Sequence, residues 1–350
     1  MKKRLTYGSV QKSMLKPQAE NKGWTLCVGA GISTPVFPTW KELVRNIILD
    51  IYPNISKKAI EEILAHNNLD TLIQAAYNLK DNNDKFEDYL SQKLYDNLLN
   101  LIDIKDRDRF CKIFTSPHAN AYLDSDWKFF IRYRDILLKS TTAYELAKLI
   151  SEIGHTSIRP NAILSFNAEP LLFTLINSFT REKSLSLGKK TAEIVDIVTS
   201  SITSCSKDKI PFCFCHGALL SWVATKKDKR YDVDSKLVFL ENQYLHMSNN
   251  SFSWQSTTFL NYCVNPAMVF IGVSLSDPNM RKWLSWVQLE RSADINQKVD
   301  STKHFWITKE PDNKETMDWM EASVYHLGVR IIWIKQWDQT TKVLKKMFGI

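Results

Sequence analysis

The sequence predicts an α/β fold, a doubly wound, Rossmann-like parallel sheet that carries a large helical insertion. Three observations predict it. Short apolar runs alternate with helical segments through the second half of the chain, as expected of βαβ units whose sheet is covered on both faces. The apolar stretch Trp24-Thr25-Leu26-Cys27 leads straight into Val28-Gly29-Ala30-Gly31-Ile32-Ser33, a buried strand ending in a tight turn. Between this turn and the alternating region, residues 43 to 155 carry almost no strand signal and repeat helical spacing instead.

Taken in order, the first element is the strand that ends at Val28. Glycine lacks a Cβ and adopts positive φ readily, so Gly29 and Gly31 are expected to turn that way and bring backbone N–H groups close to a pyrophosphate. Ser33 or Thr34 is the expected cap of the next helix. A dinucleotide-binding dehydrogenase would place a third glycine three positions after the second, where this chain has Thr34 followed by Pro35. Hydride transfer is therefore disfavoured.

In the helical stretch, Leu69, Leu72, Ile73 and Ala76 recur at i, i+3, i+4 and i+7, and Phe86, Tyr89, Leu90, Leu94, Leu98 and Leu101 mark a second helix. Asn82-Asn83-Asp84 separates the two, and Ser116-Pro117 punctuates a later connection. Strands are then expected over Ala162–Phe166, Phe212–Cys215, Met268–Ile271, His304–Ile307 and Val329–Ile334. Asp277-Pro278-Asn279-Met280 reads as an N-cap with proline at the first helical position, opening a helix whose apolar stripe is Met280, Trp283, Leu284 and Val287. Trp286 on that helix is expected in packing or at a subunit interface. No repeat or linker divides the chain, so a single domain over 1–350 with the insertion at 43–155 is expected.

The 350 residues include 44% hydrophobic and 11% aromatic side chains, enough to fill a substantial core. No apolar run approaches about 18 residues and no apolar segment follows Lys2-Lys3-Arg4, so a soluble, cytoplasmic protein without membrane association is expected. The six cysteines are scattered and lack any Cys-x-x-Cys pair; free buried thiols and no metal site are expected, with Cys213 and Cys215 in the core. The net charge of +8 gathers partly in Lys226-Lys227-Asp228-Lys229-Arg230 and Lys345-Lys346. No aromatic-interleaved basic motif accompanies these clusters, so direct nucleic-acid binding is not expected.

Gly29-Ala30-Gly31-Ile32-Ser33, Ser165-Phe166-Asn167-Ala168-Glu169, Cys215-His216-Gly217 and Gly272-Val273-Ser274-Leu275-Ser276-Asp277-Pro278 occur in an order that resembles the sirtuin-like family. Pro38-Thr39-Trp40 and Leu237-Val238-Phe239-Leu240-Glu241-Asn242-Gln243-Tyr244 resemble its prokaryotic branch, whose members cleave NAD in anti-phage defence. The resemblance implies that Gly29, Ala30 and Gly31 hold the NAD phosphates and that Gly272 and Ser274 contact the adenosine-side ribose. It implies that Asn167 positions water near the nicotinamide ribose and that His216 acts on the ribose hydroxyls or on that water, with Ser33, Trp40 and Glu169 also against the nucleotide. It further implies NAD as substrate, a homo-oligomer, and a HerA-type ATPase as partner.

The residue types suit the chemistry. Cleaving the bond between ribose and nicotinamide expels a neutral leaving group from a cation through an oxocarbenium-like transition state, so a base and an oriented water suffice. Histidine titrates near neutrality, and an asparagine amide orients water without adding charge. Two departures from the family pattern stand out. Glu169 replaces the usual aspartate of Asn-x-Asp, and the paired Cys-x-x-Cys motifs that hold zinc in protein-deacylating sirtuins are missing. The leading expectation is an NAD glycohydrolase. A protein deacylase and a catalytically silent module binding NAD or ADP-ribose stay open beside it.

Overall fold

In the computed structural model, which describes residues 4–80, 85–114, 122–188, 193–200, 203, 205–221, 237–250, 252–294 and 303–350, the strands form one eight-stranded sheet. They are β1 (Leu5–Thr6), β2 (Trp24–Val28), β3 (Ala162–Ser165), β4 (Val195–Val198), β5 (Ile210–Phe214), β6 (Ala267–Ile271), β7 (His304–Lys309) and β8 (Val329–Ile334). Their order is β1-β8-β7-β6-β2-β3-β5-β4, and every pairing is parallel. This is the doubly wound α/β fold that the alternation predicted.

Side-chain alternation explains how one sheet serves two layers. Leu26, Val28, Ile163, Phe212, Val269 and Ile271 point into one core, while Cys27, Leu164, Cys213, Met268 and Phe270 point into another on the opposite face. Six of the eight strands stand where the sequence placed them. The sequence reading missed β1, which has two residues, and β4, whose Val195-Asp196-Ile197-Val198 alternates buried and half-buried positions at the sheet edge.

Between β2 and β3 lie α2 (Trp40–Ile51), α3 (Lys57–His66), α4 (Leu69–Leu79), α5 (Phe86–Asn100), α6 (Ile104–Cys111), α7 (Asp124–Tyr133) and α8 (Thr142–Ile153), following the short α1 (Lys16–Asn21) that precedes β2. Ile73 and Ala76 of α4 and Phe86, Leu90, Leu94 and Leu98 of α5 are buried, which follows their spacing. Asn82-Asn83-Asp84 and Ser116-Pro117 lie outside the described residues. These helices share the first core with Trp24, Leu26 and Val28. Arg134, just past α7, is buried; its guanidinium reaches Ser178 Oγ at 3.2 Å and Glu182 Oε2 at 2.8 Å on α9 (Leu171–Ser186) and lies 4.0 Å over the Phe179 ring.

The second face is covered by α10 (Glu241–Asn249), α11 (Trp254–Val264), α12 (Pro278–Asp294) and α13 (Lys314–Tyr325), with α14 (Gln339–Phe348) returning to the first. In α12, Met280, Trp283, Leu284 and Val287 are all buried, whereas Trp286 is 37% exposed under the Lys282 ammonium. Five cysteines are buried free thiols and Cys205 is half-buried. Of the basic clusters, 226–230 lies outside the described residues, Lys345 pairs with Glu152 at 3.2 Å, and Lys346 donates to the Tyr7 and Gly8 carbonyls.

Candidate active site

The chain leaves β2 toward β3 on one side and later comes back to place β6 on the other. The carboxyl ends of β2 and β6 therefore flank a topological switch point, where open α/β sheets bind ligands. The ladder runs one residue past each strand there. Phe166 N donates to Val28 O at 3.0 Å, Gly29 N to Ile271 O at 3.1 Å and Cys215 N to Ser165 O at 2.9 Å. The loops carrying Gly29, Asn167, His216 and Gly272 thus emerge side by side.

The glycines do different work from that expected. Gly29 has φ −130° and Gly31 lies in the 3-10 turn Ala30–Ile32; neither is among the positive-φ glycines. What they allow is contact with the Gly272 turn. Gly31 N donates to Gly272 O at 3.0 Å, and a Cβ on Gly29 would sit 2.7 Å from that oxygen. Gly272 supplies the positive φ, +67°, with its own Cβ position 2.6 Å from Ile32 N. The amides of Gly29, Gly31, Ile32 and Ser33 are each donated to carbonyls of the fold. The turn is thus held by the chain itself.

Ser33 does not cap the next helix, and neither does Thr34. Thr39 caps α2 in a reciprocal box with Glu42, and Ser33 turns inward. Its hydroxyl donates to Glu169 Oε1 at 2.6 Å, and the Asn167 amide Nδ2 donates to the same carboxylate oxygen at 2.8 Å and to Ser33 Oγ at 3.3 Å. The other oxygen of Glu169 accepts from Leu171 N at the start of α9. So the helix-start contact belongs to Glu169, and the extra methylene relative to aspartate is accommodated. With both acceptors on Nδ2, the carbonyl Oδ1 of Asn167 is left buried without a partner among the described residues. Burial raises the Glu169 carboxyl to about 7, against the pull of its three donors.

His216 follows β5, and Gly217, at φ +72°, turns the chain sharply behind it. The imidazole is wedged edge-on between two rings, Phe166 at 4.9 Å and Tyr244 at 5.2 Å between centroids. The Tyr244 hydroxyl lies 3.2 Å from Nδ1. Nε2 is buried with no hydrogen-bond partner among the described residues and sits 3.9 Å from Asp277 Oδ2. Burial pushes this imidazole below its ordinary value, opposed by the Asp277 charge, so the neutral, base-competent form prevails at neutral pH. His304 makes the contrast clear: its Nδ1 accepts from Met268 N at 3.0 Å, its Nε2 meets Cys263 Sγ at 3.6 Å, and burial lowers it to about 3, so it is a satisfied core residue.

The Asn167 and His216 loops are joined directly. Phe166, beside Asn167, packs on the imidazole, and Leu219 N donates to Ala168 O at 2.7 Å. Helix α5 buttresses the far side through Ser91 Oγ and Tyr95 OH, which donate to Leu220 O and Leu219 O. Ala30 is half-buried in the Gly29–Ser33 loop. Trp40 opens α2 and packs on Phe239 with ring centroids 5.2 Å apart. Ser274 is exposed on the β6–α12 loop and shares a 2.6 Å hydrogen bond with Ser276 rather than with the Asn167 cluster. The sequence reading missed Phe166, Tyr244 and Asp277 as neighbours of His216. Phe166, Tyr244 and Asp277 all stand in segments singled out for their resemblance, but Asp277 was given a role only as a helix cap, which it is: Oδ1 accepts from Asn279 N at 2.8 Å. Among the described residues no group of three or more His, Cys, Asp or Glu is arranged to hold a metal ion.

Residues 200–327 match the family model of the SIR2-like domain. The SIR2-like segment holds Cys215-His216-Gly217, the 237–244 segment and the Gly272–Pro278 loop, and it points to NAD chemistry. Gly29–Ser33 and Asn167–Glu169 lie before it, and less than half of the chain is covered. No curated protein matches the chain.

Proposed function

We propose that this chain is an NAD glycohydrolase that releases nicotinamide and ADP-ribose. The observation that carries the reading is that Asn167 Oδ1 and His216 Nε2, both buried and without a hydrogen-bond partner among the described residues, stand on adjoining loops at the switch point of the sheet. Unpaired buried acceptors cost free energy, and such groups belong where a ligand or water completes them. NAD brings a cationic glycosidic bond whose leaving group departs neutral, so the protein has no leaving-group proton to supply.

Asn167, its Nδ2 fixed by Ser33 and Glu169, offers Oδ1 to one hydrogen of a water. His216, neutral through burial, accepts at Nε2 the proton that this water gives up as it adds to the ribose carbon, and then returns the proton to solvent. Gly29, Ala30, Gly31 and Gly272 line the adjoining turn, with Trp40 and Ser274 further out along the nucleotide. The resemblance to the prokaryotic branch supports placing this activity in anti-phage defence, in a cytoplasmic oligomer paired with a HerA-type ATPase.

The test is incubation of the purified chain with NAD and chromatographic detection of nicotinamide, with no acylated peptide present. His216→Ala and Asn167→Ala are each expected to lose about 100-fold or more in turnover, the scale of a lost general base or its oriented water. Wild-type rates in both variants overturn the assignment. Release that requires an acyl-lysine peptide identifies a deacylase, and binding of NAD without release identifies a silent module.

A further inference from the structure

Nδ1 of His216 stands 3.2 Å from the Tyr244 hydroxyl, whereas Nε2 has no hydrogen-bond partner among the described residues. A hydroxyl can give or take a hydrogen bond, so the pair has two arrangements. If the phenol donates to Nδ1, the ring proton sits on Nε2 and the lone pair faces the tyrosine. If Nδ1–H donates to the phenol oxygen, the lone pair is at Nε2. Once Nε2 gains a proton, both ring nitrogens are donors and only the second arrangement survives. Tyr244 is held in place by the helix that carries it. At the start of α10, Gln243 Oε1 accepts from Phe239 N at 2.9 Å and Leu240 N at 3.0 Å. Glu241 accepts from Thr71 Oγ1 of α4 at 2.8 Å, and Ser248 O from Lys282 Nζ of α12 at 2.9 Å. The titratable groups facing the imidazole are Tyr244 from α10 and Asp277 from the loop before α12, and Asp277 and Asp70 of α4 also face the phenol. Burial and these two charges raise the phenol well above its ordinary value, so it stays neutral and adds no charge beside the ring.

We propose that Tyr244 is the positioning residue of the base: its hydroxyl oxygen accepts from Nδ1–H, which keeps the lone pair of His216 at Nε2 and supports the imidazolium formed there. This deepens the proposed function and rests on it. As the attacking water gives its proton to Nε2 and its oxygen bonds to the ribose carbon, the ring becomes the cation and Nδ1 keeps its own proton. No proton moves to the phenol, and the Nδ1–H bond to Tyr244 becomes charge-assisted.

Tyr244→Phe keeps the ring that packs on the imidazole and removes only the hydroxyl. Because the charged form loses its acceptor, kcat for NAD is expected to fall about tenfold with KM held within about twofold, and the midpoint of the acid limb to move down by about one pH unit. Nitrogen chemical shifts of the histidine rings in the full chain, with the His216 signals identified by their loss in His216→Ala, read the tautomer without any turnover. The neutral wild-type ring is expected to carry its proton on Nδ1, and its titration to move down in Tyr244→Phe by the same amount. A wild-type ring protonated on Nε2 overturns the inference. So does a midpoint that stays, the mark of a tyrosine that only packs, or one that rises, the mark of a phenol that donates to Nδ1 and opposes protonation. The Nδ1 proton and the downward shift in a chain that releases no nicotinamide leave the contact standing and remove the hydrolase reading. NAD hydrolysis that Tyr244→Phe leaves unchanged does the reverse.

Discussion

Glu169 accepts from Ser33, Asn167 and Leu171, yet desolvation still outweighs these donors and raises its carboxyl from 4.5 to about 7. Between those values the native state holds a proton that the unfolded chain releases, so this group's contribution to stability falls as pH rises through the window and is constant on either side. The size is about 3 kcal/mol at most. Glu169→Gln cannot titrate, so chemical denaturation at pH 5 and pH 8 is expected to show the wild type losing stability relative to the variant; parallel behaviour would mean that the carboxyl ionises normally. For His216 the sign is opposite: burial favours the neutral ring. The acid limb of the NAD hydrolysis profile is therefore expected to have its midpoint below 6.5. A midpoint above that value would show that the Asp277 charge outweighs burial or that another group is the base.

At the scale of elements, the site depends on two turns that touch backbone to backbone. Gly272 combines a left-handed φ with a neighbour 2.6 Å from its missing Cβ, whereas Gly188, past the end of α9, has φ +61° and nothing within 4 Å. Gly188→Ala isolates the conformational penalty, roughly 1 kcal/mol. Gly272→Ala adds the clash with Ile32 and is expected to cost roughly 2–4 kcal/mol in urea unfolding, with loss of nicotinamide release as the two turns part. Equal costs for the two variants would show that the turns give way freely.

Over the whole molecule, the helices between β2 and β3 have no core of their own. Ile73, Leu94, Phe110 and Trp127 belong to the same buried cluster as Leu26, Val28 and Phe212 of the sheet, and α5 bonds directly to the loop behind His216. The insertion and the sheet are therefore expected to unfold together. Tryptophan fluorescence and far-ultraviolet dichroism should trace one coincident urea transition, and a separate earlier loss of helix would establish two units.

Local pattern in the sequence was enough for the parallel sheet, the helical stretch and the cap at Asp277, because strand alternation, helical spacing and turn chemistry are properties of neighbours along the chain; the Asn167 and His216 segments stood out through the family resemblance alone. It was not enough for what the glycines are for, which residue starts α9, or what surrounds the imidazole. Gly29 and Gly31 yield to Gly272, some 240 residues away; Ser33 finds Glu169 at 136 residues' separation, and Tyr244 meets His216 at 28. Only the packing of β2 between β3 and β6 brings those groups within hydrogen-bond distance, since such contacts depend on strand order, which no local spacing encodes.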